Sequence, residues 1–363
     1  MLPYAPIFEL TRGETVESIH FGAIAIVDAH GQLVAWHGDP QAVTYLRSSA
    51  KPIQVMPFLE HGGQATFGLT PREIAILCAS HSGTDEHVAV LKSIQTKTGV
   101  READLMCGIH PLSHTPTIAA MQQRGETLTF NRHNCSGKHT GMVAHALLHG
   151  LPVADYINPA HLVQGEIRQT FAEMCGLSVE QLKFGIDGCS APNFAVPLQN
   201  AAFAFARLCD PGDLPSPRNE VCKTITAAMI ANPDMVGGPD SFDTHLMNTT
   251  GGRIICKGGA EGYQALGLLP GALGPGSPAL GIAFKISDGD LKGHSRPEGD
   301  PRGHARPAVA LEILRQLKAI SISEMQALAE FGPSYQVYNW RKLLVGEARP
   351  CFTLNVASST LDA

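Results

Sequence analysis

No stretch of this chain is apolar for the roughly 18 or more residues that a membrane span requires. Its first twenty residues, MLPYAPIFELTRGETVESIH, set Glu9, Arg12, Glu14 and Glu17 where an export leader would need an apolar core. The expectation is a protein that stays in the cytoplasm. A long basic run is also missing, and the formal net charge of -6 is modest, so nothing favours a nucleic acid or an anionic membrane as partner. Small polar ligands fit better. Nine cysteines, an odd number at irregular spacing, give no disulfide framework and read as reduced thiols or metal ligands. Cys78, Cys107, Cys175, Cys209, Cys222, Cys256 and Cys351 sit among apolar neighbours, as core residues do. What is present is ordinary for a globular chain: 363 residues, 44% apolar and 17% charged, enough for a substantial core and two packed subdomains.

Residues 21–37, FGAIAIVDAHGQLVAWH, predict two strands around a turn at Asp28 to Gly31. From about residue 50 to 250 helical periodicity takes over, in TPREIAILCAS, TDEHVAVLKSIQTKTG, GKHTGMVAHALLHG, PAHLVQGEIRQTFAEMCG, PNFAVPLQNAAFAFARL and NEVCKTITAAMIANP. After Gly252 the β-like runs return in GRIICKGG, GYQALGLL and PALGIAFKISDG, followed by a late helix near AVALEILRQLKAI. The economical architecture is α+β: an antiparallel sheet subdomain from both chain ends, about 1–45 and 250–363, holding a mainly helical subdomain of about 46–249. That arrangement would put residues 48, 80 and 257 where the two subdomains meet. The near-repeat Gly293-His294-Ser295-Arg296-Pro297 and Gly303-His304-Ala305-Arg306-Pro307 reads as a solvated loop.

Three short motifs carry chemistry. Ser48-Ser49-Ala50-Lys51 sets a hydroxyl and an amine three residues apart at a helix start, so that a neutral Lys51 could take the proton of Ser48. Such a pattern arises by chance too easily to count alone. Downstream come Ser80-His81-Ser82 and, at the end of a β-like run, Lys257-Gly258-Gly259. S-x-x-K, S-x-S and K-G-G in that order resemble the signature elements of penicillin-binding proteins and serine β-lactamases. Lys97-Thr98-Gly99 is a literal K-T-G, but it reads as a helix end with Gly99 in the left-handed cap position and Lys97 as a last-turn cation.

The chain as a whole resembles the Rhizobium etli type of L-asparaginase, the plant-symbiont type of the asparaginase II family. LRSSAKP, ASHSGTDEH, NCSGKHTGM, GIDGCSAP, GGPDSFDT, CKGGAEG and FKISDGD carry that resemblance across roughly residues 5–310. It implies a fold similar to serine β-lactamases and glutaminases, a homodimer, and hydrolysis of L-asparagine to L-aspartate and ammonia. Ser48 would attack the amide carbon with Lys51 as base, and Ser80 with Lys257 would relay protons to the departing ammonia. Ser48 is preferred as attacker because a helix start stabilises developing negative charge, with Ser80 the alternative. Leu291 to Pro301 departs from the pattern as an insertion.

Cys135 and Cys189 lie in Gly- and Ser-rich turns without zinc-finger spacing, and by themselves read as buried thiols. The resemblance instead implies Cys135, Lys138 and Cys189 as ligands of a zinc ion, with His139 and Asp187 supporting them. Arg47, Asp187 and Asp240 are candidates for the substrate's charged ends, or for structural ion pairs. His145 and His149 are spaced i, i+4 without an accompanying acidic motif and read as surface or packing residues; His110 and His114, around Pro111, read as loop. Two other functions stay open: a glutaminase or other serine amidase or lactamase, and a non-catalytic zinc-dependent amino-acid sensor.

Overall fold

The computed structural model describes residues 3–289 and 305–357. The strands are β1 (Ala5–Arg12), β2 (Thr15–Asp28), β3 (Leu33–His37), β4 (Val43–Tyr45), β5 (Lys183–Ile186), β6 (Pro192–Pro197), β7 (Ile254–Gly258), β8 (Tyr263–Leu268), β9 (Leu280–Ile286), β10 (Tyr335–Tyr338), β11 (Leu344–Pro350) and β12 (Asn355–Val356). The first helices are α1 (Lys51–Gln54), α2 (Met56–Glu60), α3 (Gly63–Phe67), α4 (Pro71–Leu77), α5 (Asp85–Thr98), α6 (Thr115–Arg124) and α7 (Ser136–Leu148). The others are α8 (Leu162–Met174), α9 (Leu198–Cys209), α10 (Arg218–Ala231), α11 (Pro233–Gly237), α12 (Phe242–Thr249), α13 (Ala305–Gln316) and α14 (Ile322–Ala327).

The chain divides into two compact units. One takes the described residues of Met1–Leu46, Val196–Asp210 and Thr249–Ala363; the other takes Arg47–Ala195 and Pro211–Asn248. The fold is α+β, with a sheet from both chain ends and a mainly helical second unit. In the first unit the strand order is β10-β11-β1-β2-β9-β8-β7, with β3 joining β2 and β12 joining β3. Its ladders are antiparallel, including β2 with β3 across the turn anticipated at Asp28 to Gly31. Ala23 to Val27 are fully buried in succession. Side chains of alternate strand residues point to opposite faces, so an unbroken buried run means both faces of β2 are covered there.

Helix α9 belongs to this sheet unit, although periodicity grouped its residues with the helical span. Its small residues Ala201, Ala202, Ala204 and Ala206 are buried, and it packs on β2, β8 and β9. The approach is close enough that a Cβ on Gly281 of β9 would fall 1.8 Å from the Ala202 carbonyl oxygen. Glycine is required there by space rather than by dihedral freedom. Pro192–Pro197, expected to open this helix, is strand β6 instead, paired with β5. Proline lacks a donor at each end, and Phe194, Ala195 and Val196 are buried as strand residues.

In the helical unit, capping explains several starts. Thr70 forms a capping box with Glu73 at α4, and Thr84 one with His87 at α5. Helix α5 ends at Gly99 with φ +79°, while Lys97 pairs with Glu73 at 2.7 Å, which places the literal K-T-G at a helix end. Eight of the nine cysteines are buried and Cys351 is half-buried, so all seven thiols expected in apolar surroundings have lost most of their exposure. Among the described residues, no helix is long and apolar enough to cross a membrane. The insertion at Leu291 to Pro301 lies outside the described residues, as does most of the near-repeat; its last three residues, Ala305 to Pro307, open α13 rather than continue a loop.

Candidate active site

Arg47–Ala50 is a 3-10 turn that runs directly into α1. Lys51 points inward and is 1% exposed. Its Nζ donates to the Ala79 carbonyl at 2.6 Å, the Ser80 hydroxyl at 2.9 Å and the Asn134 carbonyl at 3.2 Å. The hydroxyl held by Lys51 is therefore that of Ser80; no hydrogen bond joins Lys51 to Ser48 among the described residues. The cause is local. The segment after α4 and the segment before α7 both turn carbonyls toward this point, and a buried amine goes where acceptors are. Ser48, half-buried, is left without a hydrogen-bond partner among the described residues.

Arg47, just before Ser48, has φ +52°, a left-handed conformation that costs a non-glycine residue of order 1 kcal/mol or more. Its guanidinium is pinned by Asp187, with N–O distances of 2.8 and 3.0 Å. Burial alone would raise the Asp187 carboxyl, but the charges of Lys138 and Arg47 outweigh it and hold the group below its ordinary value. The strain is thus tied at both ends, by the turn and by an ion pair.

Beside this lies a thiol cluster. Cys135 caps the N-terminal end of α7, and α7 approaches α4 so closely that a Cβ on Gly137 would sit 2.0 Å from the Ile76 carbonyl oxygen. Lys138 and His139 follow on the first turn. Lys138 Nζ donates to Cys189 Sγ at 3.0 Å. The Cys135 thiol is drawn well below its ordinary value by hydrogen bonding with Cys189, against the opposing effect of burial and with help from the charges of Lys51 and Lys138. Burial would lower Lys138, yet Cys189 and Cys135 more than compensate and raise it. Cys107 stays a neutral thiol, pushed up to about 12 by burial and by the same two sulfurs.

His139 Nδ1 lies 2.6 Å from the Tyr156 hydroxyl, which accepts from the Met106 N–H at 2.8 Å. Nδ1 is thus engaged with the phenol, and Nε2 is the ring nitrogen left over. That Nε2 is buried with no hydrogen-bond partner. Burial pushes His139 down to about 4, opposed by the neighbouring Cys189. Two sulfurs, one drawn toward thiolate, with the Lys138 nitrogen 3.0 Å from the other, suit a soft tetrahedral cation of the zinc class. The third donor implied by the family resemblance is Lys138, whose Nζ lies beside Cys189 Sγ. The residues fit such an ion.

Two further candidates are Asp240 and Lys257. The Asp240 side chain is 71% exposed and pairs with His114 at 3.4 Å, with no bond to Arg47, Lys51 or the thiols among the described residues. Lys257 is fully buried on β7 in the sheet unit, where its Nζ donates to the Gly258 carbonyl at 2.9 Å. His81 is structural: its Nδ1 accepts from the Gly83 N–H at 3.1 Å and its Nε2–H donates to Ser136 Oγ at 2.9 Å. Sequence reading missed His133, whose Nδ1 accepts from the Cys135 N–H at 2.9 Å. Burial pushes it down to about 4, and the Lys51 and Lys138 charges add to this. Its position two residues before Cys135 was the available signal. Tyr156 and the carbonyls of Ala79 and Asn134 had none.

A sequence profile described as L-asparaginase II matches residues 8–350. No curated protein matches the chain. Among solved structures, one described as Mglu is 12% identical with a TM-score of 0.41, covering 82% of this chain and 67% of that one. Its tris and glutamate form is also 12% identical, with a TM-score of 0.42 and coverage of 82% and 59%. A Bacillus glutaminase determined in 4.3 M NaCl is 11% identical, with a TM-score of 0.36 and coverage of 82% and 91%. Likenesses this distant leave the architecture resting on the strand order itself.

Proposed function

Because this chain belongs to the L-asparaginase II family, we propose that it is an amidohydrolase of the Rhizobium etli type, converting L-asparagine to L-aspartate and ammonia through a serine ester. The observation that carries the reading is the buried amine–hydroxyl pair, Lys51 Nζ to Ser80 Oγ at 2.9 Å. Ser48 is the attacking group. Its hydroxyl has no competing partner, it follows a strained residue pinned by Asp187, and catalytic hydrogen bonds commonly tighten only when substrate is bound. As Ser48 Oγ bonds to the amide carbon, its proton passes to Lys51 Nζ acting as the base. The Lys51–Ser80 pair then hands a proton to the amide nitrogen as the C–N bond breaks, releasing ammonia. Water cleaves the remaining ester, with the same amine accepting its proton and returning it to Ser48. The family motif assigns Lys257 a share in this proton traffic.

Zinc held by Cys135, Lys138 and Cys189 would supply Lewis-acid polarisation or orientation of a polar end of the substrate. Lys138 must shed its proton to serve, so metal uptake should weaken as pH falls. Arg47 and Asp187 present opposite charges next to Ser48 and suit the α-carboxylate and α-ammonium of an amino acid. The same reading carries a homodimer in the cytoplasm.

The test is ammonia release by the zinc-loaded protein from L-asparagine, L-glutamine and, for ring opening, a chromogenic lactam. Turnover of asparagine that disappears in Ser48→Ala, together with an aspartyl ester detected by intact mass in Ser80→Ala but not in Ser48→Ala, is the expected result. A parent protein that releases no ammonia from asparagine would sink the proposal; an ester found on Ser80 would reverse the two serines.

A further inference from the structure

The C-terminal end of α7 carries a second cluster that the reaction does not use. His145 and His149 lie one turn apart on one helix face. The structure adds two residues far away in sequence: His61, directly after α2, and Glu166 on α8. One ligand atom from each of the four lies within 4.8 Å of every other. The His145 side chain is 2% exposed, and its Nε2 stands 3.0 Å from Glu166 Oε2. Neither atom makes an aligned hydrogen bond, and both are buried. His61 Nε2 is 3.5 Å from the same oxygen. The rings of His61, His145 and His149 pack with centroids 4.5 to 5.4 Å apart.

A buried imidazole nitrogen facing a buried carboxylate oxygen at bonding distance but out of line is an unusual pair to leave unsatisfied. Both would be satisfied by a cation between them. We propose that His61, His145, His149 and Glu166 form a divalent transition-metal site of the zinc class, separate from the thiol cluster. Three imidazoles and one carboxylate are a donor set for such a metal. Tetrahedral zinc at about 2.05 Å from each donor would bring the donors to about 3.3 Å from one another; the exposed ends of the set, His61 and His149, are placed to close that gap. A helix C-terminus also favours positive charge. Once loaded, the site ties the ends of α2 and α7 to α8, a structural role that does not depend on the proposed hydrolysis.

The experiment uses the full chain, stripped with a chelator and titrated with zinc alone. The parent should take up two equivalents, and the double variant Cys135→Ser/Cys189→Ser should keep one. Adding His149→Ala or His61→Ala to that double variant should weaken the remaining site by at least about a hundredfold. Both histidines are at the surface, so these changes leave the core intact. Cobalt loading separates the sites independently, because only the thiol site gives a sulfur-to-metal charge-transfer band. A thiol-free variant that binds no zinc, or binds it equally well with and without His61 and His149, overturns the proposal. A parent that holds a single equivalent, lost on His149→Ala but kept on Cys189→Ser, would uphold this site and remove the thiol one.

Discussion

The two ends of α7 make opposite use of one helix. At its start, Cys135, Lys138 and Cys189 gather where unpaired N–H groups and the dipole favour negative charge, and there the Cys135 thiol is drawn toward thiolate. At its end, His145 and His149 meet His61 and Glu166 where the dipole favours a cation. Eleven residues separate Lys138 from His149, about 16 Å along the axis. The contrast teaches that a helix can hold two metal-competent sets with different chemistry without their competing for the same ion: soft sulfur at the positive end, imidazole and carboxylate at the negative end. The first end also borders the buried Lys51 amine, which donates to the Asn134 carbonyl just before Cys135.

The hardest way to break this contrast is to remove that amine. Lys51→Ala should lower ammonia release from asparagine by about a hundredfold to ten-thousandfold, the range of a lost acid–base group. It also leaves the Ser80 hydroxyl and two carbonyls without their donor, costing roughly 1–3 kcal/mol in stability. Fold and chemistry are separated by adding a small primary amine: recovery of rate marks a proton carrier, whereas a purely structural lysine would give none. The variants His61→Ala and His149→Ala, at the other end, should leave this rate within about twofold if the two ends are independent. A comparable loss from either end would erase the distinction.

Two glycines of α7 sharpen the comparison next. Gly137→Ala would drive a Cβ to 2.0 Å from a backbone oxygen that cannot swing away, so α7 must move off α4. The expected loss is about 1–3 kcal/mol, with weaker metal uptake at the thiol end. Gly141, one turn later, offers ordinary space: a Cβ there would meet Leu77 Cδ atoms at 3.5 and 3.9 Å and Val55 Cγ2 at 3.9 Å. Gly141→Ala should stabilise the protein by about 0.5–1 kcal/mol, the helical preference of alanine over glycine. Urea melts of both variants check the pair, and equal effects would show that the thiol end is not clamped.

What the sequence revealed, and what it hid, follows the range of the forces involved. The β2–β3 turn and the Gly99 helix end are set within a few neighbouring residues, and each can be read there. The side of the molecule that takes α9 is set by Ala202 meeting Gly281, a backbone contact with no periodic trace. Lys51 pairs with Ser80 because distant carbonyls of Ala79 and Asn134 converge, and no spacing rule encodes that. For His145 and His149 the missing acidic partner argued for packing; Glu166 supplies a carboxylate from another helix, beyond any local motif. Asp240, beside a motif, was open to a substrate contact or a structural ion pair, and its carboxylate pairs with His114 at 3.4 Å.

The smallest effect concerns acid, and it reaches the thiol end through His81. This ring is buried and neutral, with Gly83 N–H donating to Nδ1 and Nε2–H held by Ser136, the first residue of α7. Burial, followed by the nearby His87 and Lys51, pushes it well below its ordinary value. In the unfolded chain the imidazole gains a proton below about pH 6.5, while the folded one does not. The unfolded state therefore binds more protons as pH falls under that point, and stability must decrease there, by at most about 1.4 kcal/mol per pH unit for this one group. Above about pH 6.5 both states are neutral and the slope from His81 vanishes. His81→Gln, which can keep a polar link to Ser136 but cannot titrate, should flatten the stability profile between pH 6.5 and 5 by about that amount and leave it unchanged at pH 8. A slope identical to that of the parent would mean that acid enters through another group, and that the first turn of α7 is not held by a neutral histidine.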